Sequence, residues 1–264
     1  MQIEVIIEKK SHKLDAEEGK TILETLQEHG IHVLTAPCGG RGRCGKCTVE
    51  VEHMGEVLAC MTKVTDGMRI TIPKVQLRAQ KSKIAENGTV THYPADDGEG
   101  LDAACDIGTT TVVCHLIDGK TGEKLATVSE PSAQRSFGAD VLSRIQAAEA
   151  GKLEILKEQI IFQIAQMLRT LQKKTGRGEQ IQRLAVVGNT VMCHLFAGIS
   201  PVSIGVTPFM PQEFFGKEYT GEQLGLTDCR SVYIAPAVAG FVGGDITSDL
   251  LAVMQKNPKE KVLL

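Results

Sequence analysis

The opening run MQIEVIIEKKSHKL alternates apolar and polar residues, which predicts a strand over 2–8 and a hairpin partner over 11–14. At TILETLQEHG (21–30) the period becomes helical, with Ile22, Leu23 and Leu26 turned inward and Gly30 at the C-terminus. A glycine-rich loop comes next. Shorter alternating runs then predict strands around 48–53, 56–61 and 68–73, the last ending in Pro73. This ββ-α-loop-ββ order marks residues 1–74 as one small domain.

From Val75 to Gly100 the chain is polar and aperiodic, a basic RAQKSK followed by an acidic PADDGEG. That composition predicts a linker over 75–100, and a flexible tether of roughly 26 residues spans about 25–30 Å. Regular patterning resumes in LDAACDIGTTTVVCHLIDGKTGEKLATVSE, three strands broken by turns at Gly108 and at 118–122. Helices are predicted over 137–151 and 153–176, the second with Ile160, Ile161, Ile164, Met167, Leu168 and Leu171 on one apolar face. IQRLAVVG (181–188) reads as a buried strand and Asn189 as the cap of a helix over TVMCHLFAG. SVYIAPA (231–237) is a further strand and DITSDLLAVMQ (245–255) a further helix. The order βββαβαβα over 101–264 is that of a ribonuclease-H-like unit, so the chain combines an α+β with an α/β domain.

Within the first domain, APCGGRGRCGKCTVE and VLACMTK place Cys38, Cys44, Cys47 and Cys60 as C-x5-C-x2-C-x12-C. Three thiols on one loop can wrap an inorganic core, because Gly39, Gly40, Gly42 and Gly45 tolerate positive φ and let backbone N–H groups approach sulfur. The fourth thiol is expected from the next strand, and Arg41, Arg43 and Lys46 add positive charge nearby. The spacing points to ligands of a [2Fe-2S] cluster and to one-electron transfer. A tetrahedral zinc site is the competing reading, although zinc sites usually pair two short knuckles. A disulfide framework suits small secreted domains, and no cleavable signal is apparent. Cys105, Cys114, Cys193 and Cys229 are scattered among apolar neighbours and read as small buried hydrophobes.

Composition narrows the function classes. Lys and Arg number 29 against 32 Asp and Glu, a net charge of -3, which argues against a nucleic-acid binder driven by phosphate neutralisation. No apolar run approaches the length that crosses a bilayer, and the default expectation is a cytoplasmic protein without a membrane partner.

A second motif, Asp106-Ile107-Gly108-Thr109-Thr110-Thr111, falls in the turn between the first two strands of the second domain. A hairpin with glycine at its tip brings backbone N–H groups and threonine hydroxyls toward phosphate oxygens, while Asp106 can hold Mg²⁺ through water. A plain polar β-turn is the alternative. For Asp245, a helix N-cap is as good a reading as a role in positioning water or metal. His115 and His194 lie in apolar surroundings and read as packed core residues.

The first domain resembles the β-grasp of [2Fe-2S] ferredoxins, with the four cysteines where that fold places its ligands. CDIGTTTV resembles the first phosphate motif of the acetate and sugar kinase, heat-shock ATPase and actin superfamily. Together with FGADVLSRI, VGNTVMCHLFAG and GFVGGDIT, the chain resembles the ATP-dependent reductive activators of corrinoid enzymes. That resemblance implies reduction of a Co(II) corrinoid, on a corrinoid protein or corrinoid-dependent methyltransferase, to Co(I) at the expense of ATP, with electrons from a low-potential donor. By resemblance, Asp106, Gly108, Thr109, Thr110 and Thr111 contact phosphate and Mg²⁺, and Gly243-Gly244-Asp245 lines the hinge of the nucleotide cleft. No catalytic side chain is assigned.

The pattern departs from that family in a short Cys47 to Cys60 interval and in a linker too short for the extra domain that family members commonly carry. The resemblance also implies a second half beyond KEKVLL, with the second phosphate motif and the adenosine pocket, so the chain reads as a fragment, a truncated product or one subunit of a split pair. A ferredoxin-type electron carrier with a non-catalytic docking domain is the runner-up. A small-molecule kinase fused to a redox sensor is a third reading, for which residues 101–264 show no substrate pocket.

Overall fold

The structure is a computed structural model, and it describes residues 1–31, 33–74 and 98–256. It divides into two units. One gathers the described residues of 1–74 with Ala133–Ala147, and the other holds the rest of the second half of the chain. The linker expected over 75–100 lies, apart from 98–100, outside the described residues.

Alternating burial along β1 (Gln2–Ile7) seals Ile3 and Val5 beneath the first sheet and leaves the polar positions outward. β2 (Lys10–Asp15) returns antiparallel to it, as the opening run predicts. The helix α1 (Ile22–Glu28) starts at Thr21, whose hydroxyl accepts from the Glu24 N–H at 3.2 Å while Glu24 accepts from the Thr21 N–H at 2.9 Å. Such a reciprocal cap contributes about 1 kcal/mol. Strands β3 (Thr48–Val51), β4 (Gly55–Leu58) and β5 (Arg69–Thr71) complete a sheet of order β2-β1-β5-β3-β4, in which only β1 and β5 run parallel. Ile22, Leu23 and Leu26 of α1 pack with Ile3, Val5, Val49 and Ile70 in one core.

The strand expected over 56–61 ends at Leu58. Ala59 turns inward, donating to the Cys47 carbonyl at 2.9 Å and accepting from the Leu23 N–H at 2.9 Å. The fourth cysteine of the quartet therefore comes from a turn after β4 and not from the strand itself.

In the second unit β6 (Leu101–Ile107), β7 (Thr111–Asp118) and β8 (Lys124–Pro131) form an antiparallel meander. The helix expected over 137–151 is shorter and broken. A 3₁₀ turn at Ala133–Ser136 precedes α2 (Val141–Ala147), and a π-type turn at Ala148–Lys152 follows, where Gly151 at φ 82° interrupts the ladder. α3 (Leu153–Thr175) runs as the apolar period predicts, burying Leu156, Ile160, Ile164, Met167, Leu168 and Leu171 and stopping at Gly176 in the left-handed region. It packs on β7 and β8.

β9 (Ile181–Val187) pairs parallel to β6, and α4 (Thr190–Ala197) begins at Asn189, whose carboxamide oxygen accepts from the Met192 N–H at 3.0 Å. β10 (Lys217–Thr220), a single turn α5 (Gly221–Leu224), β11 (Cys229–Ile234) and α6 (Gly244–Lys256) close the unit. The sheet order β10-β11-β9-β6-β7-β8 keeps the three-strand meander on one side and the parallel strands on the other, the arrangement expected of a ribonuclease-H-like unit, with β10 added at the edge. α6 leaves Ile246, Leu250, Leu251 and Met254 exposed. Among the described residues no helix is long and apolar enough to cross a membrane.

Candidate functional site

All eight cysteines are free thiols. The four in the first unit fall into two pairs. Cys38 and Cys44 lie close enough to act on each other's ionisation, as do Cys47 and Cys60. Gly39, Gly40, Gly42 and Gly45 adopt φ between 64° and 83°, the left-handed region that the loop needs to curl around the sulfurs. That curl aims backbone N–H groups inward. The backbone N–H groups of Arg41, Arg43 and Cys44 favour the thiolate of Cys38, and that of Gly42 favours the thiolate of Cys60. Burial works against a thiolate at Cys38, but these donors and the Cys44 thiol bring it down to about 6. Burial and the Cys47 thiol push Cys60 up to about 12.

Among the described residues no group of three or more His, Cys, Asp or Glu side chains is set to hold a metal ion. A [2Fe-2S] cluster would take Cys38, Cys44, Cys47 and Cys60 as its ligands, and inward N–H groups would suit charged sulfide and thiolate. Met61, 62% exposed, covers Gly42, and Arg41, Arg43 and Lys46 are exposed on the same loop.

The second candidate site lies at the C-terminal ends of β6 and β9, where open α/β sheets place their ligands. A Cβ on Gly108 would collide with the Thr111 carbonyl, so the hairpin closes only around glycine. A Cβ on Gly188 would lie 3.0 Å from the Ile107 carbonyl, and one on Gly243 would strike the backbone of Asn189 and Thr190. Three backbone segments thereby approach without side chains between them. The Asp245 N–H donates to the Gly188 carbonyl at 3.1 Å.

Asp106, Thr109 and Asp245 gather at this end of the sheet. Partial removal from water pushes the Asp106 carboxyl up to about 6, and the carboxylates of Asp245 and Asp249 add to the shift. Thr110 and Thr111 act mainly through backbone, the Thr110 carbonyl accepting from the Ser132 N–H at 2.9 Å and Thr111 pairing with Pro131. Asp245 lies in the first turn of α6, and its carboxylate accepts from the Ile246 N–H at 2.9 Å.

Two residues of this site escape a reading of the sequence by motif. Asn189 donates through its amide to the Thr109 hydroxyl at 3.1 Å, in addition to its capping role; an asparagine directly after a buried strand was the available signal. Asp249 has none. His194 is a core residue as expected, fully buried, with Nδ1 2.7 Å from the Thr190 carbonyl and Nε2 accepting from the Glu213 N–H at 3.3 Å. His115 is half-buried against the Thr127 hydroxyl at 2.8 Å. Cys105, Cys114, Cys193 and Cys229 are buried, and the sulfurs of the cross-strand pair Cys105 and Cys114 are 2.9 Å apart.

Comparison with known proteins finds a match for each half of the chain. A 2Fe-2S iron-sulfur cluster binding domain matches residues 4–74, and the RACo middle region matches residues 101–257. The chain belongs to the RACo middle-region family. A curated relative, "Corrinoid activation enzyme RamQ" of Eubacterium limosum, is 26% identical over 307 residues, covering 86% of this chain and 51% of that protein. A solved structure, "Reductive activator for corrinoid, iron-sulfur protein", superposes with a TM-score of 0.58 at 25% identity, covering 98% of this chain and 59% of the other. This member of the RACo middle-region family thus spans about half the length of the curated relative it matches. The resemblance drawn from CDIGTTTV and the cysteine loop and the expected pairing of a ferredoxin-like with an actin-like fold are both upheld.

Proposed function

We propose that this chain serves a reductive activator, passing single electrons to a Co(II) corrinoid held by a partner protein and so generating Co(I). The single observation that carries this reading is that Cys38, Cys44, Cys47 and Cys60 sit on or beside a loop whose glycines take positive φ, inside the stretch that matches a 2Fe-2S binding domain. The name of the corrinoid-activating relative supports the choice of acceptor.

The four thiolates would hold a [2Fe-2S] cluster, which supplies a one-electron carrier when bound. The chain's own contribution is electrostatic and geometric. The N–H groups of Arg41, Gly42, Arg43 and Cys44 spread negative charge off the sulfurs, and the exposed cations of the loop favour a reduced, more negative centre.

The second site is proposed to bind MgATP. Asp106, Gly108, Thr109, Thr110 and Thr111 would face the phosphates and Mg²⁺, and Asp245 and Asp249 supply the negative charge that attracts a hydrated divalent cation. Cobalt reduction below the donor's potential is uphill, and a nucleotide-dependent change in the partner's cobalt ligation could offset it. A low-potential reductant is the electron source and the cytoplasm the expected setting.

The test is the Co(I) absorption band of a cognate corrinoid protein, followed anaerobically with this protein, a low-potential reductant and Mg²⁺, with and without ATP. The band should grow only with ATP. Equal reduction without nucleotide would sink the ATP-driven part of the proposal, and MgATP titration calorimetry showing no heat would favour a simple electron carrier.

A further inference from the structure

Ala133–Ala147 leaves the end of β8 and leads into α3, yet it packs with the first unit. Its contacts fall on the loop that carries Cys38. The Ala139 N–H donates to the Pro37 carbonyl, the residue before that cysteine, at 3.2 Å. On the other side of Cys38, a Cβ on Gly39 would lie 3.2 Å from the Phe137 carbonyl oxygen. Gln27, buried on α1, donates through its amide to the Ser136 carbonyl at 2.8 Å.

The segment is also braced internally. Arg144 is fully buried, and its guanidinium donates to the Gly138 carbonyl and to the Gln134 carboxamide, each at 3.3 Å. Burial lowers the Arg144 pKa only to about 10, so the fork keeps its charge and all its donors near neutral pH. Phe137 is buried as well, and Asp140 accepts from the Ser143 N–H at 2.8 Å to start α2.

We propose that Ala133–Ala147 is a strap that positions the Cys38 limb of the cluster loop, with Gln27 and Arg144 as positioning residues that hold the strap in place. The proposal rests on reading the cysteine quartet as cluster ligands. A loop with four glycines in the left-handed region has much conformational freedom to lose, and its N–H groups can serve sulfur only while that freedom is restrained. A strap gripping the residues on both sides of Cys38 supplies the restraint. Its first residue is one peptide bond from Ser132, which is hydrogen-bonded to Thr110 of the DIGTT hairpin at 2.9 Å. The backbone that seals the candidate phosphate hairpin therefore continues directly into the strap.

The experiment compares the full chain with Gln27→Met, which keeps the side-chain volume but removes the donor to Ser136. Amide hydrogen exchange is read by mass spectrometry on metal-free and reconstituted protein, alongside the electron paramagnetic resonance spectrum and iron release to a chelator. Exchange in peptides covering 36–44 and 133–147 should quicken by about tenfold, the factor set by one lost buried hydrogen bond. Peptides covering 101–118 should be unchanged, and the reconstituted variant should show an altered g tensor and release iron several-fold faster. Loosening of 133–147 with unchanged exchange over 36–44 would overturn the strap. Should Gln27→Met fail to fold, Arg144→Met puts the same question from within the strap. Wild-type protein that binds no iron would instead overturn the cluster reading, while exchange in the metal-free protein still decides the strap.

Discussion

Asn189 joins two structures at once: its carboxamide oxygen caps α4 through the Met192 N–H at 3.0 Å, while its amide reaches the Thr109 hydroxyl at 3.1 Å. The two functions are separable. Asn189→Ala removes both and should cost about 1 kcal/mol in the denaturation midpoint of the second unit. Asn189→Ser keeps a capping oxygen but cannot span the distance to Thr109, so stability should be nearly restored while MgATP affinity stays reduced. Urea denaturation and titration calorimetry on the pair measure the two effects independently.

Asp106 should show opposite signs for stability and binding. Its carboxyl is pushed from 3.8 up to about 6, so the native state binds the proton more tightly than the unfolded chain between those values. Stability contributed by the protonated form is lost as pH rises through 6. Asp106→Asn should therefore raise the melting temperature at pH 7.5 and leave it unchanged near pH 3.8, an effect reduced by the solvent that still reaches the side chain. The same substitution should weaken MgATP binding by about tenfold or more.

Cys47→Ser should lower iron from about two per chain to well below one after anaerobic reconstitution, with loss of the visible charge-transfer bands. Cys193→Ser and Cys229→Ser should retain full iron content, because these thiols are buried in the other unit. Iron analysis and visible circular dichroism on the three variants make the comparison.

His194 predicts an acid-sensitive second unit. Burial holds its imidazole below the ordinary value of 6.5, opposed by the hydrogen bond to Thr190 and by Glu213. Below 6.5 the unfolded chain takes up the proton first, so stability falls with decreasing pH. Protonation would also end the acceptor role of Nε2 toward the Glu213 N–H. Urea midpoints should drop from pH 7.5 to pH 5.5 in the wild type and show a shallower drop in His194→Gln.

Much of this was legible along the chain because the deciding interactions are local. The capping box at Thr21 and Glu24, the cap at Asn189 and the apolar stripe of α3 are each set by residues within a turn or two of one another. What the pattern concealed depends on distant partners. The strand expected over 56–61 stops at Leu58 although Ala59 and Cys60 are apolar, because Ala59 bonds instead to Cys47 and Leu23. The helix expected over 137–151 covers a stretch that belongs to the first unit as far as Ala147, where the amide of Gln27, more than one hundred positions earlier, holds the Ser136 carbonyl. β10 at Lys217–Thr220 is short, largely exposed and paired with β11 at the sheet edge, so no period announces it.

The sealed thiols of the second unit have a practical corollary at the bench. Burial pushes Cys105, Cys193 and Cys229 far toward the protonated form, Cys193 and Cys229 to about 12, whereas Cys38 stands near 6. Protonated sulfur reacts slowly with alkylating reagents, the thiolate being the nucleophile. Iodoacetamide at neutral pH will therefore mark Cys38 before it touches the buried sulfurs of Cys105, Cys193 and Cys229.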